Sequence, residues 1–143
     1  PALLQLSGER PDIVASGADV AAGGALADAL SRQLASEQSA SDPIRLGVSF
    51  RATSGEYCRT FISRRGVGAL AGMACRQGAA WRIEALQFVS IVSGDANRYR
   101  QAATSLPPLI LRAAEESMAC DALDAVGEAE ARDQNWKTPA GTR

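Results

Sequence analysis

The chain has 143 residues, of which 46% are hydrophobic and only 5% aromatic, and its formal net charge is −1. This length predicts a single domain with a core of its own, and the near-neutral charge provides no global field to attract nucleic acid or an anionic membrane. Histidine is absent, which excludes Ser-His-Asp and Cys-His catalysis, and three cysteines without a C-x-x-C pair argue against a structural zinc site.

The N-terminal third is predicted to contain a linker and one helix. Residues 1–24 mix Gly, Pro, Asp, Ser and Ala without a clear period, and we predict that they are poorly ordered. A helix is predicted over residues 25–37, because Leu26, Leu30 and Leu34 recur every four residues and form one apolar face. Pro43 then prevents the helix from continuing.

Four antiparallel strands are predicted next. Residues 44–52 alternate between apolar and polar side chains, which is typical of a half-buried strand. Residues 57–63, 69–76 and 81–90 complete a meander, with turns between them. Phe50, Phe61 and Trp81 are expected to anchor the core of this sheet.

Two helices are predicted after the sheet. Ser105 is expected to cap the first, which carries Pro107 and Pro108 in its first turn. The second is expected to start near Asp124, a suitable N-cap, and to end at Trp136, the fourth predicted core anchor. The predicted fold is therefore α+β, with a four-stranded antiparallel β-meander packed against an N-terminal helix and two C-terminal helices. The single domain would span residues 25–137, and residues 138–143 would form a tail.

Two cysteines are predicted to face each other within the meander. Cys58 and Cys75 lie at equal distances from the turn at residues 65–68, so folding the chain there places them on opposed positions of neighbouring strands. A disulfide between them would stabilise the fold by about 3 kcal/mol and would indicate an oxidising compartment. Two buried free thiols and a redox-sensing pair are the alternatives. Cys120 has no evident partner and is expected to be a semi-buried free thiol.

Arginine is concentrated in the predicted sheet. We predict a possible partner-docking face formed by Arg45, Arg51, Arg59 and Arg76. With Tyr57, Phe61 and Trp81 as stacking platforms, a basic sheet face could bind phosphate or RNA. We favour a solvated face, or one paired with helices, over this binding role, because outward positions of any half-exposed sheet carry charge.

No catalytic, cofactor-binding or metal-binding site is predicted. The glycine-rich run at residues 66–72 is not followed by the helix that a dinucleotide-binding loop requires. The close carboxylate pairs are Glu115 with Glu116 and Asp121 with Asp124; adjacent helical residues point apart, and Asp124 is better explained as a cap. We therefore do not expect an enzyme.

Short motifs follow one another in a characteristic order over residues 23–137. They are Arg32-Gln33-Leu34-Ala35, Ser49-Phe50-Arg51, Tyr57-Cys58-Arg59-Thr60-Phe61, Gly72-Met73-Ala74-Cys75-Arg76, Trp81-Arg82, Tyr99-Arg100, Leu106-Pro107-Pro108 and Leu123-Asp124-Ala125, before a helix that finishes in tryptophan. In this order the motifs resemble the C-terminal extracytoplasmic region of transmembrane anti-sigma factors from alphaproteobacteria. Cys120 departs from the pattern, because a small residue is expected there.

The resemblance implies a non-catalytic sensory or regulatory domain in the periplasm, belonging to an inner-membrane protein. It implies a sigma-factor-binding domain and a membrane span upstream of Pro1, with residues 1–24 as the juxtamembrane linker. The expected partner of this region is an unknown periplasmic protein or signal, with no cofactor and no nucleic acid. A periplasmic module that binds a small anionic ligand through the arginines is the main alternative, and a nucleic-acid-binding sheet is the second.

Overall fold

The computed structural model describes residues 11–39, 41–64, 68–89 and 106–137. These residues form six strands and three α-helices. In chain order they are β1 (Ile13–Ser16), β2 (Asp19–Ala22), α1 (Gly24–Arg32), β3 (Ile44–Arg51), β4 (Tyr57–Ser63), β5 (Ala69–Gln77), β6 (Ala80–Val89), α2 (Pro108–Ser117) and α3 (Ala125–Asp133), with a 3-10 turn at Ala35–Glu37. No helix among these residues is long and apolar enough to cross a bilayer.

All six strands belong to one antiparallel sheet, in the order β1-β2-β6-β5-β4-β3. The predicted α+β class is confirmed, and the four predicted strands correspond to β3–β6. The predicted number of strands is wrong, because β1 and β2 form a hairpin within the supposed linker. Gly17, with φ +62°, lies in the turn of this hairpin. Ala21 of β2 pairs with Arg82 of β6, which joins the hairpin to the rest of the sheet.

Helices cover both faces of the sheet. On one face, Leu26 and Leu30 of α1 and Ala131 of α3 pack against Phe61 and Trp81. We call this the α1/α3 face. On the other, the α2 face, Ile110 and Ala114 of α2 pack against the sheet. Strand β4 is therefore buried along its whole length, since successive side chains point to opposite faces and both faces are covered.

Two helices end earlier than predicted. Helix α3 ends at Asp133, not at Trp136, because Asn135 and Trp136 adopt the left-handed φ of +59°, which does not continue a right-handed helix. Helix α1 ends at Arg32, not at residue 37. Gln33 leaves the helix in an extended conformation, and its side-chain amide donates to the Ile44 carbonyl at 2.7 Å, which fixes the chain to β3.

Asp124 is confirmed as the N-cap of α3, where its Oδ1 accepts from the Gly127 amide at 2.8 Å. Helix α2 begins at Pro108 with Pro107 as its N-cap residue. The prediction that Ser105, itself outside the described residues, caps this helix is therefore wrong.

A β-bulge in β3 determines which residues reach the α1/α3 face. Leu46 lies opposite Phe61, but Ser49 lies opposite Arg59, so two residues of β3 oppose Thr60 alone. The Thr60 hydroxyl accepts from the Val48 amide at 2.8 Å. As a result Ser49 shares the buried face with Arg59.

The predicted disulfide is confirmed. Cys58 of β4 and Cys75 of β5 are directly opposed residues and are bonded. The bond lies on the α2 face among Phe50, Met73 and Ala114, and both cysteines are buried. A buried structural disulfide indicates that the protein folds in an oxidising, extracytoplasmic compartment.

Candidate functional site

The four arginines predicted to form one docking face do not share an exposed surface. The residues concerned are Arg45, Arg51, Arg59 and Arg76. Arg59 is fully buried on the α1/α3 face, with 0% of its surface exposed. Arg45 pairs with Ile62, which belongs to the core on the α2 face. Arg51 and Arg76 are half-buried and stack over Tyr57 and Trp81, at 5.8 and 5.3 Å from the ring centroids.

The aromatic side chains considered as stacking platforms are core residues. Tyr57, Phe61 and Trp81 are at most 8% exposed, so they do not present ring faces to a nucleic acid. Phe50, Phe61, Trp81 and Trp136, the four expected core anchors, are all at most 1% exposed. The most conspicuous residues of the sequence therefore build the interior.

The most unusual feature of this interior is a buried ionic cluster that joins two strands to α3. We call Arg59, Ser49 and Glu128 the polar junction. Arg59 Nη2 lies 2.7 Å from Glu128 Oε2, and Arg59 Nε donates to Ser49 Oγ at 2.8 Å. The Ser49 hydroxyl in turn donates to Glu128 Oε2 at 2.8 Å. Each member thus bonds to the other two.

The same guanidinium also caps the C-terminus of α1. Arg59 Nη1 donates to the Leu30 carbonyl at 2.6 Å and lies 3.5 Å from the Ala29 carbonyl. The last carbonyls of a helix lack intrahelical partners and carry the negative end of its dipole. A buried cation at this point stabilises the free carbonyls and the negative end of the dipole. The planar guanidinium of arginine can donate hydrogen bonds in three directions at once.

Trp136 covers the polar junction from the C-terminal side. Arg59 stacks on its ring at 4.6 Å from the centroid, and Tyr57 and Trp81 meet it edge-on at 5.7 and 5.6 Å. The indole Nε1 of Trp136 donates to the Ser31 carbonyl at 3.0 Å. Trp136 therefore satisfies another carbonyl of the last turn of α1.

The electrostatics of the junction are balanced internally. Burial lowers the pKa of Arg59, and the neighbouring Glu128 carboxylate opposes that shift. Arginine remains a cation in proteins, so the junction is a buried ion pair. The second carboxylate oxygen of Glu128 accepts from the Ala35 amide at 3.0 Å. Arg59 and Ser49 thus hold the Glu128 carboxylate in place, and Arg59 also holds the Trp136 ring.

The sequence does not predict a role for Glu128, and it points to Ser49 only as part of the motif Ser49-Phe50-Arg51. Glu128 lies 69 residues from Arg59, and no local pattern pairs them. One local signal was available for Arg59, because Tyr57 and Phe61 flank it at alternate positions of one strand and therefore share its face.

Cys120 is exposed and not semi-buried as expected. It lines a groove of about 350 Å³ at the end of β3, together with Arg51, Thr53 and Asp121. Here the chain after α2 runs beside β3, as the Ala119 amide donates to the Arg51 carbonyl at 2.9 Å. This segment leads directly into α3.

Within the described ranges, no three Cys, Asp or Glu residues are placed to hold a metal ion. No protein-family model matches the chain, and neither a curated protein nor a solved structure was found to match it.

Proposed function

We propose that this chain is the periplasmic regulatory domain of a membrane-anchored anti-sigma factor, and that it acts without catalysis. The observation that carries the proposal is the disulfide between Cys58 and Cys75, embedded in the motifs that resemble this family. A domain of this kind would sense a signal outside the inner membrane and control a sigma factor inside the cell.

The residues that carry the resemblance have defined structural roles. Cys58 and Cys75 join β4 to β5, Arg59 caps α1, and Trp81 and Trp136 fill the α1/α3 core. Motifs that specify a buried framework support a shared fold. The regulatory role is what the resemblance adds to that fold.

Signalling requires two states of the domain that differ in their affinity for the signal or the partner. The polar junction is suited to couple such states, because it links the end of α1, the sheet and α3 through Arg59 and Glu128. A change at any one of these elements alters the environment of the same buried cation.

The arrangement does not favour the alternative of an anion-binding sheet face. Arg59 is already paired with Glu128, and Arg45 lies on the opposite side of the sheet from it. Arg51 and Arg76 remain, and each is held against an aromatic ring.

The proposal is tested in the organism that encodes the chain. The codons for residues 11–137 are deleted in frame from the native gene, and the transcriptome is compared with that of the parent strain. We expect a group of genes that share one promoter sequence to change together. A matched strain carrying Glu130→Gln, at an exposed position of α3, should behave like the parent. If the deletion leaves every sigma-factor regulon unchanged, the proposed function is wrong.

A further inference from the structure

We propose that residues 124–137 form a releasable latch, and that the slot beneath it binds a partner segment carrying a carboxylate and an aromatic ring. The latch comprises Asp124, α3 and the turn through Trp136. The slot comprises Arg59, Ser49 and the Ala35 amide at one end, and Tyr57 and Trp81 at the other. This inference goes beyond the proposed function and does not rest on it.

Trp136, which is 1% exposed, makes the main apolar contact of the latch with the body of the domain, and α3 itself makes few. Of the nine residues of α3, only Glu128 and Ala131 are buried, and Val126 is 66% exposed. The preceding residues 119–122 are exposed as well. Segments with little buried apolar surface open at lower free energy than the strands of a core.

The backbone of the latch is strained where it closes. Asn135 and Trp136 both have φ +59°. Asparagine tolerates this left-handed region, but a bulky residue such as tryptophan rarely adopts it. The contacts of the Trp136 ring with Ser31 and Arg59 hold it there, so release of the ring also relaxes the backbone.

The slot has a defined chemistry once the latch is lifted. Arg59 Nη2, Ser49 Oγ and the Ala35 amide all donate to the Glu128 carboxylate, and three converging donors select a carboxylate. The Ser31 carbonyl accepts the indole N–H, and Tyr57 and Trp81 supply edge-on ring contacts. A partner segment with an acidic residue and a tryptophan, spaced like Glu128 and Trp136, satisfies all of these groups.

Charge complementarity points to the same ligand. Glu128 is the carboxylate that pairs with Arg59 among the described residues. When the latch leaves as a unit, water replaces it around Arg59, so the cation is not left buried and unpaired. An acidic partner then restores the pairing that the latch provided.

Hydrogen exchange of the full wild-type chain, followed over increasing urea, tests whether the latch opens by itself. We expect the amides of residues 126–136 to exchange through an opening that depends weakly on urea, at least about tenfold faster than those of β4. Exchange of both segments only through one global unfolding reaction would overturn the proposal, and this result needs no variant.

A labelled peptide with the sequence of residues 122–137 tests the slot directly. It is titrated into the wild-type chain, the Glu128→Gln chain and the Glu130→Gln chain. Apparent affinity scales with the fraction of open slots, so we expect at least about tenfold tighter binding to Glu128→Gln than to the other two.

The same peptide carrying Glu128→Gln should bind the Glu128→Gln chain at least about tenfold more weakly than the native peptide. Equal binding of both peptides, or equal affinity for all three chains, would contradict the slot. A Glu128→Gln chain that fails to fold leaves the hydrogen-exchange result on the wild-type chain as the deciding test.

Discussion

The burial of Arg59 is determined by the residues next to it on β4. Tyr57, Arg59 and Phe61 occupy every second position of β4, and Tyr57 and Phe61 face the core beneath α1. The arginine is forced to the same face by the pleat of the strand. It becomes tolerable there because Glu128, Ser49 and the end of α1 satisfy its donors.

Arg59→Lys tests the requirement for a guanidinium. Lysine keeps the charge but cannot reach Glu128, Ser49 and the Leu30 carbonyl together in the geometry of the arginine fork. Because buried polar groups then lose their partners, we expect the free energy of unfolding to fall by about 2–4 kcal/mol. Urea denaturation followed by tryptophan fluorescence measures it.

The matched control is Arg82→Lys, since Arg82 is a half-exposed sheet arginine paired with Glu56 and Glu84. A surface pair of this kind contributes little, so the change should stay within about 0.5 kcal/mol. Equal losses for the two variants would show that the polar junction has no special role.

At the scale of elements, the regular strands were predictable and the irregular features were not. The alternating pattern of residues 44–52 located β3, and Tyr57 to Ser63 matched β4 in both bounds. Strands β1 and β2 have four residues each, too few for a period to emerge, and β2 joins the sheet through a long-range pair between Ala21 and Arg82. The bulge in β3 is equally non-local, because it depends on Thr60 of the next strand.

Gly47→Ala tests that bulge. A Cβ at position 47 would lie 2.4 Å from Thr60 Oγ1, and Thr60 is fixed by its bond to the Val48 amide. We expect a loss of about 1–3 kcal/mol in the free energy of unfolding, from steric overlap. The double variant Gly47→Ala, Thr60→Ala should lose less free energy of unfolding than the sum of the two single variants, because Thr60 Oγ1 no longer overlaps the added Cβ.

Gly78→Ala provides the comparison for Gly47→Ala. Gly78 has φ +61° and no atom within 4 Å of an added Cβ, so its cost comes from backbone conformation alone, about 1–2 kcal/mol. Changing Thr60 should leave this cost unaltered. If Thr60→Ala reduced the cost of Gly47→Ala and the cost of Gly78→Ala by the same amount, the contact between positions 47 and 60 in the bulge would be contradicted.

At the scale of the whole molecule, the disulfide was predictable and the site was not. The pairing of Cys58 with Cys75 follows from the symmetry of a hairpin, which is local information. The polar junction needs α3 to return to the sheet beside α1, and that packing depends on a partner for Glu128 far along the chain. The sequence allowed Arg59 to be either part of a docking face or paired with a helix, and could not identify its partners, the Leu30 carbonyl and Glu128.

Replacing Cys58 and Cys75 together by alanine measures what the disulfide contributes. The bond closes a loop between residues 17 apart in sequence, and we expect about 3 kcal/mol less stability in urea denaturation. Cys120→Ser, at the exposed free cysteine, should stay within about 0.5 kcal/mol of wild type. A double variant as stable as wild type would mean that the bond does not support the fold.

The most direct test of an extracytoplasmic domain is the oxidation state of its cysteines in the cell. Intact cells that express the native gene are quenched with acid, the proteins are alkylated under denaturing conditions without reductant, and peptides are analysed by mass spectrometry. We expect Cys58 and Cys75 as one disulfide-linked peptide pair without label. Alkylated Cys58 and Cys75 would place the domain in a reducing compartment and contradict the account.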